Sequence, residues 1–529
     1  MFRQAMRCAA LLLLCLSSSV QAALGTTYTV TRTDDPPPDG CQPNDCSLRE
    51  AVDAVSADAS SFDNIDIGPG TYTVSAPALV VHGGLRIYGG GSAQTFVLGD
   101  GSDDLFRLDT AAQFSMEDLT LDAAGKIEFD AITGAEAALF HVRVPNPNGT
   151  VRVRGTSQDA SFHFGESEAA AVIQCNQLDH CLIFDSHVAY LRSDPDDVPP
   201  TNGTDIELLR VTIDGALAPG AGADSGMVIG TSGKVTFSDT TITATTRGAS
   251  IGPGAFLSPP EIDIERLHYL GNSRPLSVTH LVSVRDSEFR DNAAPGGADP
   301  KAGALDIVDG LGDSVTIDRC AFIDNTGNAD VGGAVRAAGG ASLVVRNSTF
   351  SGNTFRTDSI GFGGARGGAI GFHAASGKAT SLQVQHVTIV GPALTSAGVS
   401  GTAIGGFGAA EGVSMYLYNN LLRGSCNYAA DALVAASGNV EGTGNTCGFD
   451  TGSNLVDATN SALALGTLGA HGGHTPTYLP AAGSVAIDAG VDGMPCLNVD
   501  QRGYARPLGA GCDAGAVEAG DVIFADGFD

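Results

Sequence analysis

Cations are scarce in this chain. Its 529 residues include 28 Lys and Arg against 59 Asp and Glu, and only four of the cations are lysine. The net charge of −31 excludes a nucleic-acid ligand, which requires basic patches, and it disfavours an anionic membrane surface. The acid excess fits solubility through self-repulsion; it also leaves Ca²⁺ or a cationic partner open. Tryptophan is absent. After the N-terminus no apolar run approaches the roughly 18 residues of a membrane-spanning helix. There is no phosphate-binding loop and no nucleophile elbow, so neither P-loop chemistry nor elbow-type serine hydrolysis has a basis here.

The chain does have glycine, 71 residues of it, and an apolar share of 43%, enough for a packed core. It also has a repeat. In 315–325, VTIDRCAFIDN, Val315 and Ile317 form one apolar pair and Cys320 and Phe322 the next. Spacing of two within a pair is strand spacing; the step of three between pairs requires a bend. The template recurs at Val282/Val284/Ser287/Phe289, Leu343/Val345/Ser348/Phe350, Leu382/Val384/Val387/Ile389 and Met415/Leu417/Asn420/Leu422. Upstream it fits sets that start at Phe114, Ile206 and Val235. The starts at Val282, Val315, Leu343, Leu382 and Met415 lie 33, 28, 39 and 33 residues apart. Such a unit cannot bury its apolar face alone, so neighbours must stack. The expected fold is all-β, a parallel β-helix with one coil per repeat. Phe289, Phe322 and Phe350 are then an interior ladder, and Asn292, Asn325 and Asn353 a side-chain amide ladder at a turn.

The ends differ from the middle. Residues 1–22 read as a secretory signal, with Arg3 and Arg7, an apolar run Ala9–Leu16 and a small-residue site at Val20-Gln21-Ala22. Residues 23–75 form an N-terminal module. Within it Ser47 and Glu50 make a capping-box signature, and Leu48, Ala51, Val52 and Val55 give one apolar helical face. This helix is expected to cap the open first coil. Coils fill 76–460, a loop-rich cap 461–518, and an apolar, acidic tail 519–529. Of the 11 cysteines, Cys8 and Cys15 lie in the signal. Four close pairs follow: Cys41 with Cys46, Cys175 with Cys181, Cys426 with Cys447, and Cys496 with Cys512. In an oxidising compartment they are expected to be disulfides. Cys320 is left over at an inward position, as a buried thiol.

Several stretches carry a family resemblance. Cys46-Ser-Leu-Arg-Glu-Ala-Val52 followed by DNIDIGPGTYTV resembles the CSLREA module of bacterial secreted proteins. GGHTPTYLP, SVAIDAG, DQRGYARP and CDAGAVE resemble the choice-of-anchor Q domain. The FRDN, FIDN and FSGN tetrads, alternating with AGAL, GGAV and GGAI, resemble the repeats of polymorphic outer-membrane proteins; no transporter barrel follows them. The ending resembles FADGF-type tails of Gram-negative secreted proteins. The resemblance implies a right-handed β-helix of pectate-lyase-like shape, exported to the cell surface or medium of a Gram-negative bacterium. It implies no activity.

Two functions follow. The first is a non-catalytic, secreted or surface-associated protein, an adhesin or an extracellular structural or binding module. Its partner would be an extracellular polysaccharide or a cell-surface component, and the chain a monomer. The second is a polysaccharide lyase or glycoside hydrolase, which needs clustered carboxylates and, for a lyase, a base with Ca²⁺. The candidate residues for it are Asp194, Asp196, Asp197, Asp205 and Arg210, set against the plain alternative of an acidic loop in an acid-rich chain. The Asn-Thr-Asp, Asp-Asp and Gly-His-Gly set of polygalacturonases is not assembled. HGGH at 471–474 is read as a turn. No cofactor or metal site is expected; a Ca²⁺-stabilised scaffold is the remaining alternative.

Overall fold

The computed structural model describes residues 25–520 except 58–61, 102–103, 109–112, 123–125, 133–135, 156–158, 194–202, 219–224, 254–259, 297–300, 309–313, 329–331, 339, 341, 356–366, 374–379, 392–402, 408–411 and 492–495. Residues 1–22, expected to be an export signal, and most of the tail therefore lie outside the described residues.

Three parallel sheets wrap one core. The first runs through 16 strands, from Thr27–Val30 to Leu433–Ser437. A further 26 strands form two more stacks. In the second sheet Glu288–Arg290, Ala321–Ile323, Thr349–Ser351 and Thr388–Val390 follow one another. In the third, Leu305–Ile307, Val335–Ala338, Ile370–His373 and Ile404–Phe407 do so. Every pairing described within these stacks is parallel, and successive partners lie one coil apart in sequence. This is a right-handed parallel β-helix.

The template explains the corner between the first and second sheets. Two inward residues end the first strand, one residue reverses the chain, and two more inward residues start the second. At twelve successive corners, from Asp118 to Asn419, the reversing residue is not glycine, yet it holds φ between 45° and 58°. Beside many of them a hydroxyl staples the turn. Ser287 donates to the Arg285 carbonyl at 2.7 Å and accepts the Leu267 amide at 3.0 Å; Ser348 repeats this with Arg346 and Cys320.

The corner after the second sheet is held by amides. Asn292 donates Nδ2 to Asn325 Oδ1 at 2.9 Å, and Asn325 donates to Asn353 Oδ1 at 3.0 Å. Each also donates to a carbonyl of the preceding coil, that of Tyr269 for Asn292, Phe289 for Asn325 and Phe322 for Asn353. Asn272 extends the ladder upstream. A second amide ladder, Asn420–Asn439–Asn454, holds the first corner at the far end of the solenoid. Inside, Phe289, Phe322 and Phe350 stack with centroids 4.8 and 4.7 Å apart and planes within 7°. The Cys320 thiol is buried against the Val284 and Asp318 carbonyls, and burial pushes its pKa up.

One position departs from the template. Val282 is 42% exposed, and Leu281 takes its inward place. The register explains this: Ile262 pairs with Leu281 but Asp263 with Ser283, so a bulge inserts Val282 on the outside.

At the N-terminal end α1 (Leu48–Ala57) lies over the first coil and buries Leu48, Ala51, Val52 and Val55. Glu50 Oε2 accepts the Ser47 amide at 2.8 Å while Ser47 Oγ accepts the Glu50 amide, a reciprocal cap that also holds the Glu50 carboxyl below the usual range. Arg49 forks onto Asp35 with two contacts of 2.8 Å.

The four expected disulfides are all present. Cys41 is bonded to Cys46 in the loop before α1, and Cys175 to Cys181. Cys175 and Cys181 both face inward, so their bridge crosses a corner within the core. Cys426 is bonded to Cys447 across the last coils, where both are buried. Cys496 is bonded to Cys512 within the C-terminal segment, with Cys512 buried and Cys496 partly exposed.

The C-terminal segment packs along the flank of the last coils. Gln501 Oε1 accepts the Thr349 hydroxyl at 2.6 Å, Tyr478 reaches Ser351, and the Ala516 amide donates to Thr388. Ala321, Ile323 and Thr349, whose side chains leave the core, are buried under it. His386 sits in this seam, fully buried, with Nδ1 3.1 Å from the Asp513 carbonyl and Nε2 3.2 Å from the Asn419 amide. HGGH forms an exposed turn, with Gly472 and Gly473 at positive φ.

Phe322→Ala should cost about 3–5 kcal/mol in chemical denaturation. A loss under about 1 kcal/mol would contradict its place in the stack. The seam makes a pH prediction. Burial first, then the Arg506 charge, pulls the His386 pKa down to about 3. Between about 6.5 and 3 the unfolded chain therefore takes up a proton that the folded chain refuses, and stability falls as pH falls. Asp513 opposes this at lower pH, because burial raises it to about 6 and the folded state protonates first. The stability difference between wild type and His386→Gln isolates the histidine. It should shrink by up to about 1.4 kcal/mol per pH unit on acidification through that window; a flat difference would reject the account.

Candidate functional site

An open groove of about 590 Å³ runs along the first corner between coils 141 and 212. Two rows of side chains line it. The first consists of the reversing residues His141, Glu166, Asp185 and Arg210. Their positive φ aims them outward from the ridge. The second consists of the first outward residues of the second sheet, Arg143, Glu168, His187 and Thr212, which stand in parallel register. Within each row neighbours are one coil apart, about 4.8 Å.

The rows are paired charges. Arg210 forks onto Asp185 at 2.6 and 2.7 Å, and this contact raises its pKa. Arg143 Nε meets Glu168 Oε1 at 3.0 Å. His141 lies between Asp118 and Glu166, with ring nitrogens 3.4 and 3.2 Å from their carboxylates. His187 Nε2 is 3.3 Å from Asp214, which also accepts the Ala216 amide. The floor is rigid: Ser167 and Ser186 staple successive corners, donating to the Gly165 and Phe184 carbonyls at 2.7 Å. Three carboxylates and two guanidiniums thus face solvent from fixed positions. The arrangement suits hydrogen bonding to a polar ligand that repeats along the axis.

No protein-family profile matches the chain, and no curated protein matches it in sequence. Solved structures share its fold at low similarity. The Dettilon tailspike protein gp208 is 13% identical, with a TM-score of 0.30 over 63% of this chain and 67% of its own. The catalytic domain of a GH87 α-1,3-glucanase in complex with nigerose is 13% identical, with a TM-score of 0.28 over 80% and 70%. Pectate lyase Pel9A is 12% identical, with a TM-score of 0.20 over 94% and 98%. Likeness at this level carries no argument about ligand or activity.

Of the residues singled out from sequence, Asp194, Asp196 and Asp197 lie outside the described residues. Asp205 and Arg210 flank one strand of the first sheet, Asp205–Leu209, from opposite ends. Asp205 is exposed and accepts the Lys234 amide at 2.6 Å, away from the groove. Arg210 is in it. Sequence reasoning does not reach His141, Arg143, Glu166, Glu168, Asp185 or His187. A signal exists for one row: the residue four after each template start is the one that reverses the chain. Among the described residues no cluster of three or more His, Cys, Asp or Glu side chains has the arrangement of a metal site.

Arg210 is 40% and Asp185 39% exposed, so their pair contributes little to stability. Arg210→Ala should shift the unfolding free energy by less than about 1 kcal/mol. A larger loss would make the pair structural.

Proposed function

We propose that this chain is a secreted or surface-associated, non-catalytic β-helix that binds extracellular polysaccharide along the groove, in an adhesive or structural role. The carrying observation is the pair of rows: fixed, hydrogen-bonding side chains that repeat with the coil. A linear polysaccharide is a ligand whose own polar groups repeat along one axis. The charge of −31 opposes nucleic acid, and four disulfides fit an oxidising, extracellular compartment. In this reading residues 23–75 are a CSLREA-type cap, 461–518 a choice-of-anchor Q-type module, and 1–22 the export signal.

A second reading has one observation in its favour. His141 is 52% exposed in the groove between two carboxylates, the arrangement of an oriented base. A lyase or hydrolase would use it there.

Retardation of the purified protein in polysaccharide-containing gels, together with an assay for released reducing ends or unsaturated products, separates the two. Binding without product, weakened in Arg143→Ala/His187→Ala, is expected. Product formation that His141→Ala or Glu166→Gln abolishes would replace binding by catalysis.

A further inference from the structure

The coils that form the groove carry an unusual row on the adjoining outer face of the first sheet. In consecutive register it reads Glu117, Phe140, Gly165, Phe184, Leu209. Each of these immediately precedes a reversing residue, so the row borders the groove along its length. Phe140 and Phe184 are two coils apart, a backbone separation of about 10 Å. Their ring centroids are nevertheless only 6.0 Å apart, at an interplanar angle of 56°.

They converge because the residue between them is glycine. A Cβ on Gly165 would lie 2.3 Å from Phe184 Cζ and 2.6 Å from Cε1. The Phe184 ring therefore rests on the Gly165 backbone and lies along the sheet. Both phenylalanines are half-buried rather than covered. Polar groups lie on both sides of the pair, interrupted on the strand side by Ala138 and Leu182. One rim is the bend row that includes His141, Glu166 and Asp185. On the other, His163 Nδ1 meets Glu136 at 2.9 Å and His180 Nε2 meets Glu207 at 3.3 Å.

We propose that Phe140 and Phe184 form a stacking platform for the pyranose rings of a neutral polysaccharide, continuous with the groove. This rests on the reading of the groove as a polysaccharide site. A pyranose has an apolar C–H face and a girdle of hydroxyls. An aromatic floor between hydrogen-bonding rims complements both. The electrostatics select the class. Glu166, Glu168 and Asp185 outnumber Arg143 and Arg210, and the whole chain is strongly anionic. A polyuronate would be repelled, whereas a neutral chain carries no such cost.

The test is affinity electrophoresis of the full chain in gels containing β-glucan, α-glucan or galactomannan, with polygalacturonate gels alongside. At least one neutral gel should retard the wild type, and polygalacturonate should not. Phe140→Ala/Phe184→Ala should bind about tenfold more weakly. Phe184→Tyr should retain binding. Gly165→Ala keeps both rings but displaces one, and should weaken binding several-fold; thermal unfolding checks that each variant folds. If the alanine double variant is unfolded, Gly165→Ala and Phe184→Tyr decide the matter. Wild-type affinity in Gly165→Ala and in the double variant, alongside loss in Arg143→Ala/His187→Ala, overturns the platform and leaves the groove standing. Retardation by polygalacturonate alone overturns the neutral class. No retardation in any gel removes both this proposal and the groove reading beneath it.

Discussion

From Asp118 to Asn419 each coil turns its first corner through a single residue at positive φ, and the rest of the molecule depends on that turn. A wider loop there would separate the inward pair of the first strand from that of the second, and the core would lose its continuity. A non-glycine residue in this conformation costs roughly 1–2 kcal/mol. Twelve successive corners accept that cost. What offsets it is the surrounding structure: the parallel backbone ladder on each side, the hydroxyl or amide staples behind the turn, and the apolar pairs that both strands drive inward. The more exposed ion pairs along the ridge, such as Arg210–Asp185, add little to this.

The same turn generates the surface. A side chain in the left-handed conformation at a convex corner points away from the core. Successive corners therefore present a file of side chains at the coil pitch. On coils 141–210 this file meets the outward positions of the second sheet, and together they make the groove. On coils 319–419 the corner and the second-sheet flank are instead covered by the C-terminal segment, with Thr475 hydroxyl on the Arg319 carbonyl and the Gly515 amide on that of Asn419. One part of the flank is therefore filled by the protein itself, while the upstream part is open.

Much of the fold was legible because its forces are local and periodic. Strand pairs show as spacing of two, the corner as a step of three, and the helix cap as Ser47 with Glu50. The disulfides were legible for the same reason: Cys447 and Cys512 each follow their partners by 21 and 16 residues, within one coil or one segment. Val282 shows the limit of that reading. Leu281 and Val282 are both apolar, and only pairing with Ile262 and Asp263 decides which one faces in. The groove was less legible. Its residues come from four coils, with Arg143, Glu168, His187 and Thr212 separated by 25, 19 and 25 residues. Loop length between coils varies, so no fixed spacing marks them.

The sequence by itself determined the coil, because side-chain alternation and the repeat leave an apolar face that only stacking can bury. It also determined which cysteines lie close enough to pair, and the inward file of Phe289, Phe322 and Phe350. The tertiary structure alone decided which outward residues share a surface. It set His141 between Asp118 and Glu166, brought Phe140 and Phe184 together over Gly165, and laid the C-terminal segment on the flank. The reason is physical: burial acts on each residue through its own strand and can be read locally. Neighbours on the outside are fixed by register across coils, which depends on every loop in between.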